Sequence, residues 1–546
     1  MRRTLTILFT LLVILCTATA QVIPNSPKHE VRAVWLTTIG GIDWPHSYAQ
    51  STQSIARQQA ELRTLLDSYQ KAGINTVLLQ TRIRGTLIYP SIYEPWDGCL
   101  SGFPGKSPGY DALQFAIDEC HRRGMELHAW VVTIPVGKWE GAGSKNLRKR
   151  FPHLIKKIGP DGYMNPESPI TATYLADLCE EITRNYDIDG IHLDYIRYPE
   201  TWKITVSREQ GRQYITGIVK AIHDKVKAVK PWVKMSCSPI GKFDDLSRYW
   251  SHGWNAYTKV CQDAQGWLRN GLMDALFPMM YFRNDQFFPF AIDWAEQSQG
   301  KIIAPGLGIY FLDPKEGNWQ LEDVTREMSV LREYGMGHTF FRGKFLTDNT
   351  QGIYDFTTSF NRHPALVPPM TWANNQRPES PSEIVITENR ISWKGTTPYY
   401  NIYSSRTWPV DVTKAENLIA TRRMEQALTL PTDGRYFAVT GMDRYGNESK
   451  DTQSHQETQP MRHDVALLPC DGQRLQLPNS VHELDAAHVA IETLQGTLVA
   501  TKGFQGKSLN VANLPDGYYV LKSLGHKGVT HRLGFFKIDR KNLSGM

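Results

Sequence analysis

Asp194 ends an apolar run, Asp189-Gly190-Ile191-His192-Leu193-Asp194, and Tyr195, Ile196, Arg197, Tyr198 and Pro199 follow it. A carboxyl group at the C-terminal end of a short strand is held by a rigid element yet opens onto loops, which suits a proton donor, a base or an orienting group. Strand alternation, if carried straight through Arg197, sets His192, Asp194 and Ile196 on one face and Tyr195 and Arg197 on the other. A structural carboxylate, bound to Arg197 or to a loop amide, is the alternative.

Other residues able to do chemistry stand on or near comparable runs. Arg82 and Arg84 after the second run offer planar guanidinium groups that match a carboxylate, with internal salt bridges at a rim as the alternative for each, and Arg197 and Arg342 are further basic groups. His128 and Trp130 share one strand face, and His192 lies two residues before Asp194. Tyr281 and Tyr310 bring flat rings and hydroxyls, which suit a sugar. The expected site therefore has Asp194 as catalytic group and Arg82, His128, Trp130, His192, Arg197, Tyr281, Tyr310 and Arg342 as substrate-binding groups. A second acid is sought among Asp43, Glu94, Asp97, Glu140, Glu200, Asp285 and Asp313, each of which is, taken singly, more often a solvated loop charge. The 16 histidines are dispersed without metal-ligand spacing, so neither a metal nor a cofactor is expected.

These residues hang on a repeating pattern from Val31 to about Leu346: a helical stretch, a Gly or Asn, then a short β-rich run. The runs are Val31–Thr38, Ile74–Arg82, Met125–Ile134, Ile188–Tyr198, Val233–Pro239, Met273–Phe282, Lys301–Phe311 and His338–Phe345. Periodicity and caps predict helices over Ser54–Lys71, Asp111–Arg123, Thr171–Asn185 and Glu209–Val229. Eight alternations predict an α/β fold, a (β/α)8 TIM barrel with its ionisable residues at the C-terminal mouth. A doubly wound sheet would carry a glycine-rich phosphate turn, and neither GxGxxG nor a Walker pattern is present.

A hydrophobic content of 41% with 21% charged residues excludes a disordered chain. The formal charge of +6 is far from a nucleic-acid footprint, so no such partner is expected. Arg2-Arg3, the apolar run Leu5–Leu15 and Ala18-Thr19-Ala20 predict a signal peptide over residues 1–20, and with it export to the periplasm, the outer membrane surface or the extracellular space. A lipoprotein anchored at Cys16 ranks second. The remaining six cysteines form no CxxC pair and read as small buried hydrophobes. The expected domains are the barrel over 28–360, a proline-bearing linker over 361–378, and two small all-β, sandwich-like domains over 379–455 and 460–546.

The stretches "EVRAVWLTTIGGIDWP", "GINTVLLQTRIRGTLIYPS", "GYDALQFAIDECHRRGMELHAW", "DGIHLDYIRYP", "MSCSPIG" and "GLMDALFPMMYF" resemble the glycosyl hydrolase-like family 10 proteins. The resemblance implies a barrel that cleaves glycosidic bonds in peptidoglycan glycan strands stripped of their peptides. Such hydrolysis ordinarily uses two carboxyl groups, about 5 to 5.5 Å apart when configuration is retained and further apart when it is inverted. Family relatives often carry a second Asp directly after the position of Asp194, and here it is Tyr195. The segment from Asp189 to Tyr195 is also similar to the family 18 chitinase strand, whose proton-donating glutamate would fall at Ile196, so a literal chitinase mechanism is disfavoured. A substrate-assisted reaction, with Asp194 orienting an acetamido group, stays open. The expectation is an exported glycoside hydrolase with a polysaccharide substrate. The alternatives are a non-catalytic glycan-binding surface protein or a hydrolase of host or dietary glycans. "PYYNIYSS" and "YFAVTGMDRYGNES" resemble a fibronectin type III-like module. "LQGTLV", "LPDGYYVLK" and the final Phe-Phe-Lys strand resemble the sorting module of type IX secretion, which implies contact with the cell surface or the secretion machinery.

Overall fold

The computed structural model describes residues 25–249, 253–387, 389–430, 435–454, 467–478, 486–494, 497–504, 506–525 and 530–540. The expected signal peptide and Cys16 lie outside the described residues. The chain divides into two compact units, Met1–Ser454 and His455–Met546.

The first unit begins, in chain order, with β1 (Arg32–Leu36), β2 (Thr76–Arg82) and β3 (Glu126–Val132). A small sheet of β4 (Pro135–Lys138), β5 (Ile155–Ile158) and β6 (Asp161–Met164) follows. Then come β7 (Gly190–Asp194), β8 (Lys234–Cys237), β9 (Ala275–Leu276), β10 (Ile302–Ile303), β11 (Gly306–Leu307) and β12 (His338–Phe340). Apart from β4 to β6 these strands form one nine-stranded sheet in the order β10-β9-β8-β7-β3-β2-β1-β12-β11, paired in parallel throughout. β10 and β11 are halves of one stave: Ala304 donates its N–H to Leu276 on one side, and Pro305 accepts from the Thr339 N–H on the other. The sheet is therefore TIM-barrel-like, with helices in the connections.

Every residue of β1, β2, β3, β7 and β8 is buried, as a parallel sheet covered on both faces demands. Val34, Leu36, Val77, Leu79 and Leu127 face outward, in a core shared with Leu62, Leu66 and Tyr69 of the helix Thr52–Lys71. Ala33, Trp35, Leu78, Trp130 and Phe277 fill the inside. Burying each large side chain contributes about 1.5–3 kcal/mol.

The long helices are set by their caps. Ser51 makes a capping box with Ser54, Asp111 accepts from the Gln114 N–H, and Ser207 accepts from the Gln210 N–H. The helices run Thr52–Lys71, Ala112–Arg122, Pro169–Asn185 and Arg208–Val229, within two residues of expectation. The later strands are shorter than their apolar runs. β7 also stops sooner than expected, at Asp194, because Tyr195 turns to φ 52°. Alternation therefore fails beyond Asp194. The sheet of β4 to β6 was not expected, although Gly159-Pro160-Asp161-Gly162 is a legible turn between β5 and β6.

The same unit continues into β13 (Ser382–Thr387), β14 (Arg390–Lys394), β15 (Tyr399–Ser405), β16 (Leu418–Arg423), β17 (Ala427–Thr429), β18 (Tyr436–Met442) and β19 (Thr452–Gln453). They form two antiparallel sheets, β13-β14-β17 and β16-β15-β18-β19, around Trp393, Tyr400 and Phe437. These sheets stand against the N-terminal end of the barrel. Arg422, buried and at φ 50°, donates to Glu126 of β3 at 2.8 Å and to Asp189 beside β7 at 2.5 Å. Lys234 adds a bond to Glu126 at 2.9 Å, and His121 contacts Asp189 at 2.9 Å. Burial works to raise both acids, but Lys234, His128 and Arg422 outweigh it at Glu126, leaving it at about 2, while Arg422 and His121 do so at Asp189.

The second unit has its own core of Leu475, Val489, Leu521 and Phe536. It holds β20 (Arg474–Gln476), β21 (Ala486–Thr493), β22 (Leu498–Gly503), β23 (Ser508–Asn510), β24 (Gly517–Gly525) and β25 (Thr530–Ile538), paired as β20-β23 and as the antiparallel sheet β22-β21-β24-β25. Among the described residues no helix is long and apolar enough to cross a membrane.

Candidate functional site

Asp194 lies at the top of β7, 7% exposed, on the floor of a cleft of about 400 Å³. Its Oδ1 accepts from the Ser238 hydroxyl at 2.9 Å and from the Tyr195 N–H at 2.8 Å. Its Oδ2 accepts from the Trp130 indole N–H at 3.1 Å. Burial raises the Asp194 pKa above the ordinary aspartate range, against the opposing pull of Ser238, Arg197, the Tyr195 amide and Trp130. The carboxyl thus keeps its proton to higher pH than a free aspartate, while three donors fix its orientation.

Around it the cleft is lined by Trp130, Tyr195, Tyr281, Phe341, Arg84 and Arg342, with two further carboxylates, Asp161 and Glu200. Tyr281 stacks on Phe341 at 5.4 Å and meets Tyr310 edge-on at 5.8 Å. Burial, Tyr310, Asp194 and Tyr195 together push the Tyr281 phenol well above its usual range. Arg197 donates to Glu200 at 2.6 Å and lies 4.5 Å from the Tyr195 ring centre. Burial acts to raise Glu200, but the Arg197 bond and charge prevail and lower it. Asp161 lies 3.0 Å from the Lys138 ammonium.

The expected substrate-binding residues divide. Trp130, Tyr281 and Arg342 line the cleft with Asp194. Arg342 is also tied to Asp43 at 2.6 Å. Tyr310 meets Tyr281 edge-on and Arg197 is buried against the Tyr195 ring, and neither is among the residues lining the cleft. Arg82 is a correction: fully buried, it spends its donors on Glu94 and on the Val132 and Thr133 carbonyls, and does not face the cleft. His128 and His192 are corrected likewise. Both fill the barrel interior, His128 against Glu126 at 3.1 Å, and His192 between the Trp35 indole at 3.1 Å and the Ser236 hydroxyl at 3.0 Å. Burial and His128 hold His192 well below its usual pKa, hence neutral.

The candidate second acids sort in the same way. Glu94 belongs to Arg82, and Asp43 is saturated by Thr37, Arg342 and the Lys344 N–H. Asp97 caps the helix Gly98–Ser101. Glu140, Asp285 and Asp313 are not among the residues lining the cleft, leaving Glu200 from the expected set. Asp161 was missed together with its strand. Among the described residues no group of three or more His, Cys, Asp and Glu side chains is placed to hold a metal ion.

The chain is 29% identical over 479 residues to glycosyl hydrolase YngK of Bacillus subtilis (strain 168), a match covering 77% of this chain and 92% of that protein. It is 27% identical to glycosyl hydrolase DigH of Escherichia coli (strain K12), over 46% of this chain and 65% of the relative. Among solved structures, the PgaB (BpsB) glycoside hydrolase domain from Bordetella bronchiseptica is similar with TM-score 0.42 at 12% identity, covering 60% of this chain and 98% of that one. The model of the glycosyl hydrolase-like 10 family matches residues 30–214 and 203–311, which span the barrel from β1 through β11 and just over half of the chain, and the chain belongs to that family.

Proposed function

We propose that this protein is an exported glycoside hydrolase acting on amino-sugar polymers, with peptide-stripped peptidoglycan strands as its foremost substrate. The observation that carries the reading is a pair of cleft carboxyl groups driven apart: Asp194 raised by burial, Glu200 lowered by Arg197. Such a split supports reading Asp194 as the acid and Glu200 as the charged partner of glycosidic cleavage. Asp194 donates a proton to the leaving oxygen, and Glu200 meets the oxocarbenium-like centre or the water that attacks it. Trp130 and Tyr281 supply flat surface for the pyranose. The names of YngK and DigH, both glycosyl hydrolases, support the reaction class. Residues 1–20 support export, and the two β-rich parts after the barrel are proposed as a fibronectin type III-like module and a sorting-like module.

The test is mass spectrometry of products after incubation with peptide-free peptidoglycan strands, intact sacculi and chitin oligomers, beside Asp194→Asn and Glu200→Gln variants. Saccharides released from the stripped strands by the wild type and absent with Asp194→Asn support the reading. Binding without product from any glycan would sink it in favour of a glycan-binding surface protein, which Tyr195 in place of an adjacent acid also fits.

A further inference from the structure

The cleft over Asp194 does not end at its own wall. A second cavity, of about 740 Å³, adjoins it, and the two share Ile39, Arg84 and Gly137 as lining. A volume of that size accommodates a ligand of several rings. Its lining includes Tyr48, which the first cleft lacks and whose ring rests on Gly102, 3.1 Å from where a Cβ would stand, while the residue remains 58% exposed. An aromatic ring braced against backbone and open to solvent is a stacking platform for a sugar face.

Arg84 marks the boundary. It is exposed, and among the described residues it makes no ion pair and no hydrogen bond. Its neighbours in the second cavity differ: His46 is bound to Glu61 and Lys138 to Asp161. Backbone contact holds the Arg84 loop in place. A Cβ on Gly143 would stand 2.5 Å from the Gly85 oxygen and 2.8 Å from the Arg84 oxygen, and one on Gly137 would stand 3.3 Å from the Arg84 Cβ. The guanidinium is thus carried to the junction on a braced loop with its donors unspent, and its fork matches a carboxylate.

We infer that the second cavity is a remote sugar subsite continuous with the Asp194 cleft, and that Arg84 at the junction selects a glycan carrying a carboxylate on the sugar it faces. The inference rests on the glycan-acting reading of the cleft and adds to it a second subsite, with Tyr48 as its platform and Arg84 as the residue that discriminates charged from neutral sugars. Two sources of that carboxylate are chemically equivalent at Arg84: an ether-linked lactyl acid on an amino sugar, and the ring carboxylate of a uronic acid.

Titration calorimetry on the Asp194→Asn full chain, with oligomers of two to eight sugars, tests this without turnover. The probes are peptide-free peptidoglycan oligomers, oligouronates and neutral chitin oligomers. Affinity for a carboxylated series is expected to rise with length beyond the sugars that fill the first cleft, and Tyr48→Ala should erase that rise. Arg84→Gln should weaken carboxylated oligomers about tenfold more than chitin oligomers of equal length. Whichever carboxylated series responds names the source. Equal losses for charged and neutral oligomers, or affinity independent of length, overturn the inference, even where the wild type cleaves glycans. If carboxylated oligomers bind with the expected Arg84 dependence but the wild type cleaves none, the subsite stands and the hydrolase reading falls. Absence of binding by every oligomer removes both.

Discussion

At the scale of single residues, the site is a carboxyl group whose charge is discouraged by burial and tolerated through its hydrogen bonds. Asp194→Asn is expected to lower kcat about a thousandfold or more, because an amide keeps the shape but cannot donate a proton to the leaving oxygen. The protonated form is lost as pH rises through the raised pKa, so in the proposed reaction Asp194 is expected to set the basic limb of the kcat/KM profile. Ser238 favours the charged form, and Ser238→Ala should therefore move that limb upward by about one pH unit. A shift to lower pH would contradict the assignment. Away from the site, Glu327 is buried with neither oxygen hydrogen-bonded among the described residues, and burial followed by Asp323 raises its pKa far above the usual range. With the folded value raised, the cost of ionisation is absent below the unfolded pKa, where only the desolvation of the neutral carboxyl remains, and stability is lost as pH rises from there through the folded value. Glu327→Met should raise stability by about 1–3 kcal/mol or more at pH 7 and by less at pH 4, as read by urea unfolding. The sequence made Asp194 legible as the end of an apolar run. It also pointed to His128, His192 and Arg82, but an inward direction in a barrel whose interior is packed does not mean access to the mouth. Glu94 folding back to neutralise Arg82 leaves no local trace.

At the scale of elements, what could be read and what could not follows the range of the forces involved. Helices were legible to within two residues because their start signals are local: Ser51, Asp111 and Ser207 cap three of them, and a proline opens Pro169–Asn185. The staves β9 to β12 are two or three residues long, and no periodicity can bound so short a strand. The hairpin carrying Asp161 had a signal in its Gly-Pro-Asp-Gly turn. The docking of β16 had none: Arg422 reaches Glu126 and Asp189 across 296 and 233 positions of chain. Arg422→Ala leaves two buried carboxylates without their shared cation and is expected to cost about 3–5 kcal/mol. Glu126 and Asp189 have depressed folded pKa values, so their stabilising contribution is full above the unfolded carboxylate range and is lost as pH falls through the folded values. The gap between wild type and variant in denaturant unfolding should accordingly be complete at pH 6 and narrow toward pH 2.

At the scale of the whole molecule, the folding unit is longer than a barrel alone. Residues 25–454 form one compact unit with the sandwich against the barrel, whereas residues 467–540 contribute a separate core. A chain ending at residue 360 would expose the Glu126 and Asp189 cluster and is expected to lack a cooperative melting transition. A chain spanning 25–454 should melt as the first unit does in the full protein, and calorimetric scans of the two truncations check this. Titratable groups are also layered along the barrel axis: a hydrogen-bonded cluster of Glu126, Asp189, Lys234 and Arg422 at one end, Asp194 at the other, and between them Trp35, Phe277 and the neutral His192. The neutral His192 and its apolar neighbours thus stand between Asp194 and that cluster, with His128 beside Glu126. If Asp194 acts as the proposed acid, its proton is replaced from the cleft mouth, and a glycan strand lying across the cleft would also govern when the site is reset.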